Sequence, residues 1–109
     1  MRRVGQVLGL RPERLEEYKK YHEKIWPEIA AAIEAAGIRN YSIYHHRGTL
    51  FAYYEYVGPE HEYDERMEQL ARAPRMREWW DIMEPMQIPE PEREEGSWWS
   101  PMEEVFHQD

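Results

Sequence analysis

The chain has 109 residues and a formal net charge of −8, which fits one domain and argues against nucleic acid binding, because phosphate recognition needs clustered cations. It contains no cysteine, which excludes disulfides and thiolate chemistry. No apolar run approaches the ~20 residues of a membrane-spanning helix. We therefore expect a single soluble domain over residues 1–109, located in the cytoplasm, with no membrane or nucleic acid partner.

The first elements predicted along the chain are a strand and a broken helix. Residues 3–10 alternate between two faces, which is typical of a β-strand. A helix is predicted to begin at Pro12, where the missing N–H costs nothing, and to run to about His22. Pro27 breaks it, because proline cannot continue the hydrogen-bond ladder. The helix is predicted to resume as far as Ala36, with Gly37 as a suitable residue after its C-terminus.

Tyr18 and His22 form the first candidate site. They lie four residues apart, so a helix places them on one face, next to the break at Trp26 and Pro27. A buried histidine held by a hydrogen bond would have the same pattern. An imidazole that titrates near neutral pH is also suited to general acid/base catalysis, and both interpretations stay open on the residues alone.

The middle of the chain predicts a hairpin. Residues 39–46 alternate, Arg47 and Gly48 suit a tight turn, and residues 49–57 form the returning strand. His45 and His46 are adjacent on a strand and point to opposite faces, so we expect no metal site there.

Two further helices are predicted over residues 60–71 and 74–83. The second carries Trp79 and Trp80, which point about 100° apart, so at most one can lie fully in the core. The other would anchor a dimer or form a stacking surface for a ring-shaped ligand. Residues 84–97 read as an extended connection, and residues 102–106 as a final short strand.

This order of elements is the βαββαβ pattern of an α+β ferredoxin-like sandwich, an antiparallel sheet with helices on one face. The other face of the sheet would be aromatic and uncovered, which predicts a homodimer of the α/β barrel type. Five tryptophans and eight tyrosines would also suit a carbohydrate site, because aromatic rings stack on sugar C–H faces.

The chain resembles the L-rhamnose mutarotase family over nearly its whole length. The resemblance rests on five motifs in order: Tyr18-x3-His22-x3-Trp26-Pro27-Glu28, Asn40-Tyr41-x-Ile43-Tyr44, Leu50-Phe51-Ala52, Trp79-Trp80-x2-Met83 and Glu104-Val105-Phe106. It implies a cofactor-free, metal-free dimer that interconverts the α and β anomers of L-rhamnose. It also implies that His22 is the catalytic proton donor and that the sugar is bound by Tyr18, Tyr41, Trp79 and Trp80.

The expected reaction opens and recloses the pyranose ring. In the hypothesis that follows from the resemblance, the imidazolium form of His22 protonates the ring oxygen, and the base at the anomeric hydroxyl is not identified. The extra tyrosines and histidines of the hairpin and the glutamates of residues 84–101 leave the sugar open, with L-fucose and other L-hexoses or pentoses as alternatives. A non-catalytic sugar or small-molecule binding dimer, or a ferredoxin-like monooxygenase, would be the alternative functions.

Overall fold

A computed structural model describes residues 1–109 and contains one antiparallel sheet. Its strands are β1 (Arg2–Leu10), β2 (Ile38–His46), β3 (Thr49–Tyr56), β4 (Gln87–Ile88) and β5 (Ser100–Pro101). They are ordered β2-β3-β1-β4, and β5 also pairs with β1. This arrangement confirms the expected ferredoxin-like α+β fold.

Four α-helices accompany the sheet: α1 (Leu15–Glu23), α2 (Pro27–Ala35), α3 (Tyr63–Arg72) and α4 (Pro74–Met83). Short 3₁₀ turns at Pro12–Arg14, Glu60–Glu62 and Glu84–Met86 precede α1, precede α3 and follow α4. None of these helices has the length and apolar character needed to cross a membrane.

The core lies between the helices and one face of the sheet. Alternate residues of β1 and β3 point into it, and they pack with side chains from α1, α2 and α4. Its fully enclosed members are Leu8, Leu10, Ile29, Leu50 and Met86. Alternation along the strands therefore leaves the other face of the sheet without a helical layer.

The predicted helix break is confirmed between α1 and α2. Lys24 ends α1 in a non-helical conformation (φ −133°, ψ 66°), and Trp26 precedes Pro27 in an extended one (φ −59°, ψ 133°). Ile25, which an unbroken helix would place on the same face as Tyr18 and His22, is 37% exposed because the break rotates it away from the core. Gly37 follows α2 with φ +92°, as expected for a residue after a helix C-terminus.

A bulge in β2 sets the direction of Tyr41. Arg39 pairs with Glu55 and Ser42 with Tyr53, so two residues of β2 stand opposite one residue of β3. Asn40 absorbs the extra residue with φ +51° and donates to the Glu55 carboxylate at 2.7 Å. As a result, Tyr41 points to the helical side of the sheet.

The prediction of a final strand over Met102–Phe106 is wrong. Instead, β4 and β5 form two short contacts with the same edge of β1: Gln87 pairs with Leu10, and Pro101 with Gln6. Regular pairing stops after the Met102 N–H donates to the Gly5 carbonyl at 2.8 Å. In the same register residues 103–105 would face Val4, Arg3 and Arg2 of β1, but they form no backbone hydrogen bond with it, and the tail is held there by the ion pair between Glu104 and Arg3 at 2.9 Å.

The segment from Glu84 to Ser97 was also expected to be only an extended connection. It contains a 3₁₀ turn and β4 before residues 89–99 loop out and return at β5. Two residues near its start, Met86 and Gln87, are 0% and 6% exposed, so the segment enters the core. This buried stretch is short and is followed by a loop rich in glutamate, so the sequence shows no apolar periodicity that would predict it.

Candidate functional site

His22 lies in the last turn of α1, and its ring orientation is fixed by the helix itself. Nδ1 lies 2.8 Å from the carbonyl oxygen of Tyr18, one turn earlier. A carbonyl oxygen can only accept, so Nδ1 carries the hydrogen and donates it. Nε2 has no hydrogen-bond partner in the protein. The neutral ring therefore presents the lone pair of Nε2 to whatever occupies the site.

Aromatic rings surround this imidazole. The Tyr18 ring lies against it with centroids 4.4 Å apart and a tilt of 31°, and the Trp79 ring meets it edge to face at 5.4 Å. Tyr21 and Trp26 pack on the same indole at 6.0 Å and 5.1 Å. Tyr21 and Trp26 thus hold Trp79 against His22, and the three rings together form an apolar wall on one side of the imidazole.

The protonation state of His22 follows from this environment. Burial lowers its pKa below the ordinary 6.5, and the hydrogen bond to the Tyr18 carbonyl opposes this only in part. The neutral ring therefore predominates at neutral pH. The lowered pKa makes the neutral imidazole, which can act as a base, the resting form of His22. The hypothesis from the sequence starts instead from the imidazolium.

Tyr41 approaches the same region from the sheet. Its ring packs on Tyr54 with centroids 5.5 Å apart. Although 38% of Tyr41 is exposed, burial of its hydroxyl raises its pKa, and the neighbouring Tyr18 raises it further. Burial also raises the pKa of the Tyr18 hydroxyl, so both hydroxyls remain protonated at neutral pH and can donate hydrogen bonds.

The two adjacent tryptophans have different environments, as expected from their 100° separation. Trp79 is 5% exposed and belongs to the core. Trp80 is only partly buried and packs on the edge of that core. Of the five residues singled out in the sequence, Tyr18, His22 and Trp79 are in contact, Tyr41 lies near Tyr18, and Trp80 makes no ring contact with His22.

Sequence reasoning missed two residues of this region. The Nε2 amide of Gln87 lies 3.0 Å from the Tyr18 hydroxyl, and the Trp98 indole N–H donates to its Oε1 at 2.8 Å. The Trp98 indole is the feature of the sequence that could have identified Gln87. A tryptophan that packs near the core needs an acceptor for its N–H, and a glutamine beside a buried Met86 can supply one.

The arrangement is suited to moving a proton on a small polar molecule. It offers an imidazole with a free Nε2, two protonated hydroxyls and apolar walls that limit access of water. No group of three or more histidine, aspartate or glutamate side chains is arranged to hold a metal ion. His45 instead accepts a hydrogen bond from the Gly48 N–H at 3.0 Å and stabilises the hairpin turn.

Comparisons with known proteins agree on one family. A family model described as L-rhamnose mutarotase matches residues 3–108. An L-rhamnose mutarotase of Lactiplantibacillus plantarum is 36% identical and covers 100% of both chains. One from Bacillus subtilis is 35% identical over 79% of this chain and 80% of its own length.

Two solved structures resemble this one. The L-rhamnose mutarotase FA22100 of Formosa agariphila has a TM-score of 0.78 at 26% identity and covers 100% of both chains. The tetracenomycin F2 cyclase of Streptomyces glaucescens has a TM-score of 0.71 at 16% identity, over 99% of this chain and 96% of its own. The second likeness concerns the fold alone.

Proposed function

Because the chain belongs to the L-rhamnose mutarotase family of sugar-acting enzymes, we propose that it interconverts the α and β anomers of L-rhamnose. This assigns it to the isomerases of the racemase and epimerase type. The observation that carries the proposal is the His22 ring, whose Nδ1–H donates to the Tyr18 carbonyl, whose Nε2 has no partner within the protein and which lies against the Tyr18 ring.

The reaction needs two proton transfers in each direction. Ring opening removes the proton of the anomeric hydroxyl, breaks the bond between C1 and the ring oxygen, and leaves a proton on the ring oxygen. Rotation about C1–C2 presents the other face of the carbonyl, and closure reverses both transfers. A group that acts as base on opening must therefore act as acid on closing.

His22 is the acid/base group in this proposal. Its lowered pKa makes the neutral ring the starting form, so Nε2 takes the proton of the anomeric hydroxyl on opening and returns it on closure. The fixed Nδ1 hydrogen bond supports this role, because it keeps Nε2 directed to one position through both half-reactions. Assigning His22 to the anomeric hydroxyl leaves the ring oxygen to a second group.

Tyr18 is the proposed donor to the ring oxygen. Its ring lies against that of His22, and its hydroxyl proton passes to the ring oxygen on opening and returns on closure. Burial raises the pKa of Tyr18 to about 12, which supports a donor that stays protonated between turnovers. Tyr41 would hold a second sugar oxygen from the sheet side.

The two tryptophans would have separate functions. Trp79 is already packed on three rings, so it would form the wall that excludes water from His22. Trp80 retains accessible surface and would stack on the C–H face of the sugar. No cofactor enters this scheme.

We propose further that a second copy covers the open face of the sheet. On this face Tyr44 is 68% exposed, Phe51 37% and Met102 40%, and Gly5 offers no side chain. A contiguous apolar surface of this kind is characteristic of an interface, and one formed by a single surface patch closes most simply around a two-fold axis.

The proposed location is the cytoplasm, which the absence of cysteine suits; fractionation of producing cells would test it.

Saturation-transfer proton NMR on the anomeric resonances of L-rhamnose tests the function directly. Catalytic amounts of protein should accelerate exchange between the two anomers, with L-fucose, L-lyxose and D-glucose measured beside it. Exchange of another sugar in preference to L-rhamnose would change the substrate and keep the mechanism. Absence of exchange with every sugar, from folded protein, would contradict the proposed activity.

A further inference from the structure

Gln87 is 6% exposed and is the one buried residue with a polar, non-aromatic side chain. It bridges two aromatic residues from distant parts of the chain. Tyr18 belongs to α1, Gln87 to β4, and Trp98 to the loop of residues 89–99. The two hydrogen bonds of 3.0 Å and 2.8 Å join them into one chain of polar atoms. This chain ends at a hydroxyl that the proposed mechanism uses.

The direction of both hydrogen bonds is fixed by chemistry. An indole N–H can only donate, so the Gln87 atom that faces Trp98 is the carbonyl oxygen Oε1. The opposite atom, Nε2, carries two hydrogens and no lone pair, so it can only donate to Tyr18. The Tyr18 oxygen is thereby an acceptor in this bond. Its own hydrogen is not used by Gln87, and the hydroxyl has no other hydrogen bond within the protein.

We propose that Trp98 and Gln87 are positioning residues that keep the Tyr18 hydroxyl oriented as a donor to the sugar. The inference rests on the proposed function and names the residues that set the direction of its tyrosine hydroxyl. The ring oxygen of a pyranose has no hydrogen, so it can only accept. A hydroxyl with its hydrogen held toward the site is complementary to that atom, whereas a freely rotating hydroxyl would present a hydrogen only part of the time.

The contacts around Tyr18 also favour this orientation electrostatically. Hydrogen bonds in a buried chain polarise one another, so donation from Trp98 to Gln87 and on to Tyr18 makes the last O–H a better donor. The Gln87 hydrogen bond opposes the effect of burial on the pKa of Tyr18, as expected when a donor faces the phenol oxygen. The titratable and charged groups that face these three residues are His22, whose ring centroid lies 4.4 Å from that of Tyr18, Tyr41, which lies near Tyr18, and Arg93, whose guanidinium carbon lies 5.6 Å from the centre of the Trp98 ring.

Replacing Gln87 with glutamate reverses the orientation without changing the size of the side chain. A carboxylate accepts from both neighbours, so the Tyr18 hydrogen turns toward residue 87 and is lost to the sugar. A protonated carboxyl group restores the original pattern, because its C=O accepts from Trp98 and its O–H donates to Tyr18. Gln87→Glu should therefore have a KM for L-rhamnose raised roughly 2- to 10-fold at high pH and close to wild type at low pH. Its kcat should fall over the same pH range, because Tyr18 is the proposed proton donor to the ring oxygen.

This added pH dependence separates a positioning role from a structural one. If Gln87 only satisfies polar groups in the core, Gln87→Glu loses stability and its KM follows the wild-type pH profile. Gln69→Glu is the matched control, because Gln69 is exposed and bonds only Glu65 within its own helix. It should leave KM unchanged at every pH. A Gln87→Glu protein that is folded and has the wild-type KM across the pH series would overturn the proposal.

A second pair of variants covers the case in which Gln87→Glu does not fold. Trp98→Phe frees Oε1, so the amide can rotate and present either atom to Tyr18; KM should rise by a factor of about 2–10. Trp99→Phe is its control, because the neighbouring indole takes part in no hydrogen bond within the protein. Equal KM values for the two variants would overturn the proposal. The Trp98 indole N–H resonance, identified by its absence in Trp98→Phe, should shift in Gln87→Glu.

Failure of the proposed function gives a different result. If the wild-type protein does not accelerate exchange of the anomers, the proposed activity is wrong. The orientation of the Tyr18 hydroxyl is then tested by measuring L-rhamnose binding through tryptophan fluorescence. Binding by wild type that weakens in Gln87→Glu as pH rises supports the positioning role without the activity. Equal binding by both proteins, or no binding by either, overturns it.

Discussion

The Nδ1–H of His22 donates to the carbonyl oxygen of Tyr18, 2.8 Å away and one turn earlier on the same helix. The same two residues also stack, with ring centroids 4.4 Å apart. One short stretch of helix therefore fixes the tautomer of the His22 ring, the direction of its free nitrogen and the position of the neighbouring tyrosine ring. Few long-range contacts are needed to assemble this pair, because i and i+4 residues meet on any helix.

Loss of the imidazole should remove the acid/base contribution to the exchange rate. We expect His22→Ala to reduce kcat for L-rhamnose roughly 10²–10⁴-fold, the usual contribution of a positioned acid/base group. The measurement is saturation transfer at the anomeric resonances. His61→Ala is the control, since its imidazole is 84% exposed and belongs to the 3₁₀ turn before α3; it should retain the wild-type rate. An unchanged rate in His22→Ala would remove His22 from the mechanism.

The pH dependence of kcat/KM should identify the reactive form of His22. Burial lowers its pKa, so we expect kcat/KM to rise with pH through a midpoint below 6.5 and to be level above it. This follows if the neutral ring is the base that takes the anomeric proton. A profile that instead falls as pH rises through that region would show that the imidazolium is the reactive form, as the sequence-based hypothesis assumed.

The same pKa shift predicts an effect on stability. Since the pKa of His22 is lower in the folded state than its ordinary 6.5, the unfolded chain binds more protons between the two values. The free energy of unfolding should therefore rise with pH through this interval, and the contribution of His22 should be constant above 6.5. Urea unfolding at a series of pH values measures it. His22→Gln should lack this component, and an identical slope in both proteins would contradict the pKa assignment.

The two adjacent tryptophans should separate stability from activity. Trp79→Ala removes a core indole packed on three rings, so the free energy of unfolding should fall by about 3–5 kcal/mol. Trp80→Ala should cost less stability, because part of this side chain is already exposed, and should raise KM through loss of a stacking surface. Chemical denaturation and anomer exchange, measured on both variants, test this. The reverse pattern would show that Trp80 is the structural member of the pair.

The uncovered face of the sheet should control assembly. We expect a dimer in size exclusion with light scattering, and we expect Phe51→Glu to shift it toward the monomer because a carboxylate would be buried at the interface. Ile25→Glu is the matched control. Ile25 is equally exposed, at 37%, but lies at the helix break on the other side of the molecule. A wild-type monomer at micromolar concentration would contradict the proposed interface.

Local patterns in the sequence were sufficient for most of the fold. Alternation predicted β1 and the hairpin, Pro27 predicted the break after α1, and Gly37 the end of α2. The contact between Tyr18, His22 and Trp79 was partly predictable, because helical spacing places the first two together. These features depend on residues close in sequence, where backbone geometry leaves few alternatives.

The remaining features depend on contacts between distant residues. The final strand was misplaced because Val105 and Phe106 have a strand-like composition, whereas the tail beyond Met102 contacts β1 through the Arg3–Glu104 ion pair and forms no backbone ladder with it. Gln87 was overlooked because its importance comes from Tyr18, which lies 69 positions earlier in the chain, and from an indole in the following loop. Hydrogen bonds between residues so far apart in sequence leave no local pattern from which they could be predicted.

The divided fourth strand has a consequence for how this pocket could be altered. Gln87 and Ile88 are secured to β1 before residues 89–99 depart, and Ser100 and Pro101 are secured to it after they return. The loop of residues 89–99 is thus fixed at both ends by strands that pair with β1. Its length and composition could be exchanged without shifting either pairing, and Trp98 would travel with it. Exchange of this loop between relatives would therefore change the hydrogen-bond partner of Gln87, and through it the surroundings of the Tyr18 hydroxyl, while β4 and β5 stay paired with β1.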